Sequence, residues 1–136
     1  MKITLIVHSL RKGGAEAIAL QNARYFLNKY YQVHIICWVE DVGHDLSELE
    51  NVTITYLVKK DKYSFLKGLL FLPMKLSKHV KVFNPNAIIF HSFTTLLISF
   101  MIPRQIKKIF VSHGYGDLEL PTSFKAFLKQ AFSKWV

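Results

Sequence analysis

Cysteine is what this sequence has least of, and acidic side chains are few beside the basic ones. A single cysteine, Cys37, stands among 136 residues. No disulfide can close within the chain, which suits a reducing compartment. Cys37 lies inside an apolar run and is expected as a small buried hydrophobe. Six histidines are present, but no closely spaced helical pair and no cysteine–histidine spacing of the zinc-binding kind, so no metal site is expected. No Ser-His-Asp arrangement can be assigned either. No uninterrupted apolar run approaches the ~20 residues of a membrane span. The nearest, residues 87–102, is broken by His91, Ser92, Thr94, Thr95 and Ser99. Residues 1–8 look like a signal peptide only in outline, because the apolar stretch is short and no small-residue cleavage site follows. The expected location is cytoplasmic, at most peripheral on the inner face of the cell membrane.

Nine Asp plus Glu face 18 Lys plus Arg, a net charge of +9. Residues 1–58 hold five basic and six acidic side chains, whereas residues 59–83 hold seven lysines and one aspartate. The surplus therefore begins in the middle of the chain, and it implies a surface that meets something anionic. Nucleic acid is set aside as a partner, since basic and aromatic residues fall into no recognisable reading motif. Phospholipid and phosphorylated substrates remain. With 51% hydrophobic and 20% charged residues the chain can bury a core, and its length suits one domain over residues 1–136.

Short apolar runs alternate with helical spacing. Residues 3–7, 33–39, 52–58, 87–90 and 109–112 read as strands. Residues 15–27, 63–83, 94–102 and 121–135 read as helices, with Pro73 inside the second suggesting a kink or a break into two. This alternation predicts an α/β, Rossmann-like, doubly wound parallel sheet of about five strands with helices on both faces, in the order three-two-one-four-five. Ligands of such sheets bind beyond the carboxyl ends of the strands. Three strand ends should converge there: residues 8–14, His91 with Ser92, and residues 113–117. Gly13-Gly14 follows the first strand and opens the first helix. Two glycines give the backbone conformations closed to other residues and let a ligand come close, while the helix N-terminus attracts an anion. The three spaced glycines of a dinucleotide fingerprint are absent, so no NAD site is read.

Ser9-Leu10-Arg11-Lys12-Gly13-Gly14-Ala15-Glu16, followed by Ala23-Arg24-Tyr25-Phe26-Leu27, resembles the opening of glycosyltransferase family 4 enzymes of the GT-B fold. Val33-His34-Ile35-Ile36 is similar to that family's second strand. Pro85-Asn86-Ala87-Ile88-Ile89-Phe90-His91-Ser92 and Val111-Ser112-His113-Gly114 resemble two later segments, in the right order. Asn86, Phe90 and Ala17 depart from the family pattern, which bears on the acceptor rather than the fold. The resemblance implies an N-terminal, acceptor-side domain. It implies Ser9, Gly13 and Gly14 near a donor diphosphate and acceptor, His113 as the catalytic-site histidine beside the transferred sugar, Ser112 and Gly114 shaping its loop, and His91 and Ser92 on the neighbouring wall. It also implies a nucleotide-sugar donor as co-substrate, no metal or other cofactor, and a saccharide or lipid-linked acceptor. The family's donor-gripping Glu-x7-Glu domain has no counterpart in residues 1–136. Three readings stand open: half of a transferase, inactive alone; a non-catalytic module pairing with a separate donor-binding chain through an open edge strand; and a truncated remnant.

Along residues 64–83, Phe65, Leu69, Leu72, Leu76, Val80 and Phe83 form one helical face. Lys67, Phe71, Met74, Lys75, Lys78 and Lys81 cluster on the other. Lysines interleaved with apolar side chains suit an anionic membrane surface, where headgroups meet the charges and the apolar groups dip into the boundary.

Overall fold

The computed structural model describes residues 1–62, 64–91 and 99–112, without the side chains of residues 65–69 and 101. Five parallel strands, β1 (Lys2–Val7), β2 (Gln32–Glu40), β3 (Thr53–Lys59), β4 (Ala87–Phe90) and β5 (Lys107–Phe110), form one sheet in the order β3-β2-β1-β4-β5. Two helices, α1 (Gly14–Asn28) and α2 (Phe65–Phe83), make the crossovers between β1 and β2 and between β3 and β4. Short 3-10 turns lie at Ser47–Leu49, Lys60–Lys62 and Ser99–Met101. The fold and strand order are those expected from the alternation of runs. β5 begins two residues earlier than the apolar run at 109–112, because Lys107 and Lys108 pair with Ala87 and Ile88 at a sheet edge that tolerates charge. The helices expected at 94–102 and 121–135 lie largely or wholly outside the described residues.

The central strands are buried on both faces, which is why they read as continuous apolar runs rather than alternating ones. One face packs Ile3, Leu5, Val7, Ile35 and Cys37 against Ala19, Leu20 and Ala23 of α1. The other packs Ile6, Ile36, Trp38, Ile88 and Phe90 against Leu72, Leu76 and Val80 of α2. Building outward from β1 to β3 and then returning to β4 on the far side of β1 puts the two helices on opposite faces.

α2 runs unbroken through Pro73, so the expected break into two helices is not seen. Pro73 is itself buried, and its ring packs on the core side of the helix. α2 ends where Asn84 takes a left-handed conformation (φ 50°, ψ 64°) and donates its N–H to the Val80 carbonyl at 2.8 Å. Pro85 then stops the helix from continuing. Asn86 Oδ1 accepts the Lys2 N–H at 2.8 Å, and the Asn86 N–H donates to the Lys2 carbonyl at 2.9 Å. Asn86 thus ties β4 to the amino end of β1. That end is the sheet edge opposite the strand carboxyl ends.

Candidate functional site

The strand order reverses between β1 and β4. In open parallel sheets the crevice at that reversal, beyond the strand carboxyl ends, is where ligands sit. His8 and Ser9 leave β1 there, and His91 leaves β4. The His91 N–H donates to the Ile6 carbonyl at 2.9 Å, carrying the β1–β4 ladder one residue past the strand. His91 and Ser9 are buried. Ser9 Oγ has no hydrogen-bond partner among the described residues. His8 is half-buried, its ring 6.3 Å from that of Trp38. Burial and nearby Arg11 hold its pKa below the ordinary histidine value, against the opposing pull of Glu16 and Asp41.

The loop from β1 to α1 is braced from outside. The Leu10 N–H donates to the Asp41 carbonyl at 2.9 Å, and the Leu10 carbonyl accepts N–H groups from Gly43 and His44 at 2.9 and 3.2 Å. Asp41 in turn meets Lys60 Nζ at 3.0 Å. A side chain at Gly43 would place its Cβ 3.0 Å from the Lys12 nitrogen, so glycine there permits the two loops to lie against each other. This brace carried no sequence signal, because residues 40–51 read only as an acidic, polar connection.

Gly13 caps α1 with extended backbone (φ −166°, ψ 161°) and no side-chain acceptor. The expectation that the glycine pair supplies conformations closed to other residues is not met at Gly13, since any residue can adopt this one. What Gly13 provides is room: a Cβ there would collide with the Glu16 carboxylate, which folds back beneath the loop. At Gly14 a Cβ would meet nothing within 4 Å, so glycine leaves the helix opening uncovered. The first intrahelical bond runs from the Ala17 N–H to the Gly13 carbonyl at 3.0 Å. The N–H groups of Gly14, Ala15 and Glu16 thus have no partner within the helix, and they carry the positive end of its dipole. Arg11 and Lys12 are exposed just ahead of them. The buried Glu16 was missed as a site residue, although its place three residues after the cap is a capping-box position that could have flagged it.

Ser9, Gly13, Gly14 and His91 are thus brought to one sheet edge at the reversal point. Ser92, His113 and Gly114 lie outside the described residues. Cys37 is fully buried behind Glu16, and burial first, then the Glu16 charge, pushes its thiol up to about 12. It is a core side chain and no nucleophile. No group of three metal-ligating side chains occurs among the described residues. No described helix is long and apolar enough to cross a membrane.

A parallel α/β sheet whose strand order reverses between β1 and β4, with an uncapped, glycine-opened helix after β1, defines a Rossmann-like domain of the kind that builds GT-B glycosyltransferases. The model of Glycosyltransferase Family 4 matches residues 12–136, and the chain belongs to that family. Among solved structures it is similar to the lipopolysaccharide outer core galactosyltransferase WaaB in its apo form, at 15% identity and a TM-score of 0.51. That match covers 74% of this chain and 29% of the galactosyltransferase, so the chain spans less than a third of that structure's length. No sequence match was found among curated proteins.

Proposed function

We propose that residues 1–136 form the acceptor-side half of a transferase that moves a sugar from a nucleoside diphosphate donor to a cell-envelope or lipid-linked saccharide. The observation that carries this reading is the uncapped α1 N-terminus beside Ser9 and His91 at the sheet reversal. Arg11 and Lys12 stand ahead of its free N–H groups, and a diphosphate is the anion such an arrangement suits. The buried Ser9 hydroxyl supplies a polar group behind the loop. Family membership supports sugar transfer as the chemistry. On this reading a nucleotide sugar is the only co-substrate, no metal takes part, and the wall that grips the donor comes from sequence other than residues 1–136, whether in the same polypeptide or a separate one. Residues 1–136 alone then bind a diphosphate weakly and do not turn over.

A thermal-unfolding series with a panel of nucleoside diphosphate sugars tests the reading. Ligand that binds only the folded chain raises the transition. An upward shift that disappears in the Arg11→Gln/Lys12→Gln variant is the expected result. No shift with any diphosphate sugar, or robust sugar transfer by residues 1–136 alone, would refute it.

A further inference from the structure

The outer face of α2 is a surface feature the sugar-transfer site does not use. At about 100° per residue, Leu70, Phe71, Met74, Lys78, Lys81 and Val82 fall within an arc of roughly 120°, opposite the buried stripe of Leu72, Leu76 and Val80. Leu70 is 70% exposed, Phe71 59%, Met74 64% and Val82 80%. Four large apolar side chains on one arc of one helix are more than scattered surface hydrophobes. Lys78 and Lys81 are exposed between them. The helix contains no Asp or Glu, and neither ion pair among the described residues involves it. Lys62, exposed in the turn just before α2, extends the basic surface past the helix start. Lys75 belongs elsewhere: its Nζ donates to the Leu57 carbonyl of β3 at 3.0 Å, so its ammonium is directed towards the sheet. Lys75 is nonetheless exposed, at the margin of the outer cluster in which the sequence placed it. Lys67 falls on the same arc by register, its side chain outside the described residues.

We infer that this face of α2 rests on an anionic phospholipid surface, with Leu70, Phe71, Met74 and Val82 entering the headgroup–acyl boundary and Lys78 and Lys81 among the phosphates. Charge complementarity selects the occupant. A second copy of the chain would bring the same lysines against each other, whereas an anionic leaflet meets both the charge and the apolar groups. The span from Leu70 to Val82 is about 18 Å at 1.5 Å per residue, so the helix lies in the plane of the surface rather than entering it. α2 starts after the carboxyl end of β3 and runs back towards the amino end of β4. Its Leu70–Phe71 end therefore points to the same sheet edge as Ser9, Gly13 and His91, and membrane contact would bring that edge close to lipid-borne acceptors. The inference goes beyond the sugar-transfer reading, and its test involves no sugar transfer.

Co-sedimentation of the chain with vesicles of equal parts phosphatidylglycerol and phosphatidylcholine, and of phosphatidylcholine alone, decides the matter. Binding to the anionic vesicles only is expected, weakening as salt is raised. The Lys78→Gln/Lys81→Gln variant should bind about 25-fold more weakly, since each lysine near such a surface contributes roughly fivefold. The Phe71→Ser/Met74→Ser variant should lose most binding while unfolding at the wild-type temperature, because both side chains are exposed in the folded chain. A Phe71→Trp variant should show a blue-shifted indole emission on anionic vesicles, which reports contact directly even if the serine variant folds poorly. Negligible binding to both vesicle types, serine-variant binding equal to wild type, or an unshifted indole would overturn the inference. So would a dimer in solution that Phe71→Ser/Met74→Ser dissociates, without vesicle binding.

Discussion

His34 should make the fold acid-sensitive. Its ring lies between β2, β3 and α2, buried, with Nε2 sharing a hydrogen bond with Thr55 Oγ1 at 2.9 Å. The Phe83 ring stands edge-on at 5.0 Å and the His79 ring at 6.5 Å. Nδ1 is buried without a partner, so a proton added to the ring would have no acceptor on that side. Burial first, then the charge of His79, lowers the pKa from 6.5 to about 4. A histidine whose folded pKa lies below its unfolded value favours the folded state when neutral. That contribution is fully present above pH 6.5 and is lost progressively as the pH falls towards 4. Moving from pH 7.5 to 5 should then remove about 2 kcal/mol, or about 1 kcal/mol if solvent reaches part of the ring. Either is a sizeable share of the roughly 5–15 kcal/mol that holds a typical domain folded. The assay is urea unfolding at pH 7.5, 6 and 5 for the wild type and for His34→Gln, which keeps a polar partner for Thr55 but does not titrate. Taking the difference between the two chains cancels groups that do not interact with His34, His8 and the carboxylates among them, and leaves His34 together with its coupling to His79. The wild type should lose stability relative to the variant between pH 6.5 and 5. A difference that stays flat across that range would refute the reasoning.

Two further outcomes follow from the site's surroundings. Cys37, with its thiol pushed up to about 12, should resist thiol reagents at pH 8 in the native chain and react fully in denaturant; native labelling at the rate of a free cysteine would contradict the buried placement. Gly43→Ala should cost about 1–3 kcal/mol by overpacking, because its Cβ meets the Lys12 backbone at 3.0 Å. Gly13→Ala should cost less in the same urea titrations, since only the flexible end of Glu16 stands in the way. Equal losses at the two positions would mean that the brace between the loops is not as tight as the geometry implies.

The sheet could be read from the chain because each central strand is buried on both faces. Apolar runs such as residues 33–39 carry that burial directly, and the crossover rules then leave few strand orders to choose from. Strand β5 was placed two residues late for the converse reason. It lies at the edge with most of its side chains exposed, so lysines fit it and the apolar pattern does not mark its start. In α2 the buried stripe was legible from its spacing, but the contact of Lys75 and the unbroken passage through Pro73 were not. Both depend on what lies across the sheet interface: a carbonyl at the end of β3 within reach of Nζ, and a core side on which the proline ring is buried.

At the site, sequence marked the glycines for the wrong physical reason. Pairs of glycines suggest unusual backbone angles, whereas Gly13 is extended and is wanted for the space that Glu16 occupies. Glu16 joins otherwise separate observations. Its carboxylate lies under the loop, opposes the lowering of His8 and adds to the raising of Cys37. One buried negative charge beneath an N-terminus that otherwise attracts anions weakens that attraction. The exposed Arg11 and Lys12 offset it from outside. The opening of α1 is therefore graded, negative below and positive above. A charged ligand would be drawn to the outer rim of the loop, on the Arg11–Lys12 side, rather than down to Ser9 and His91.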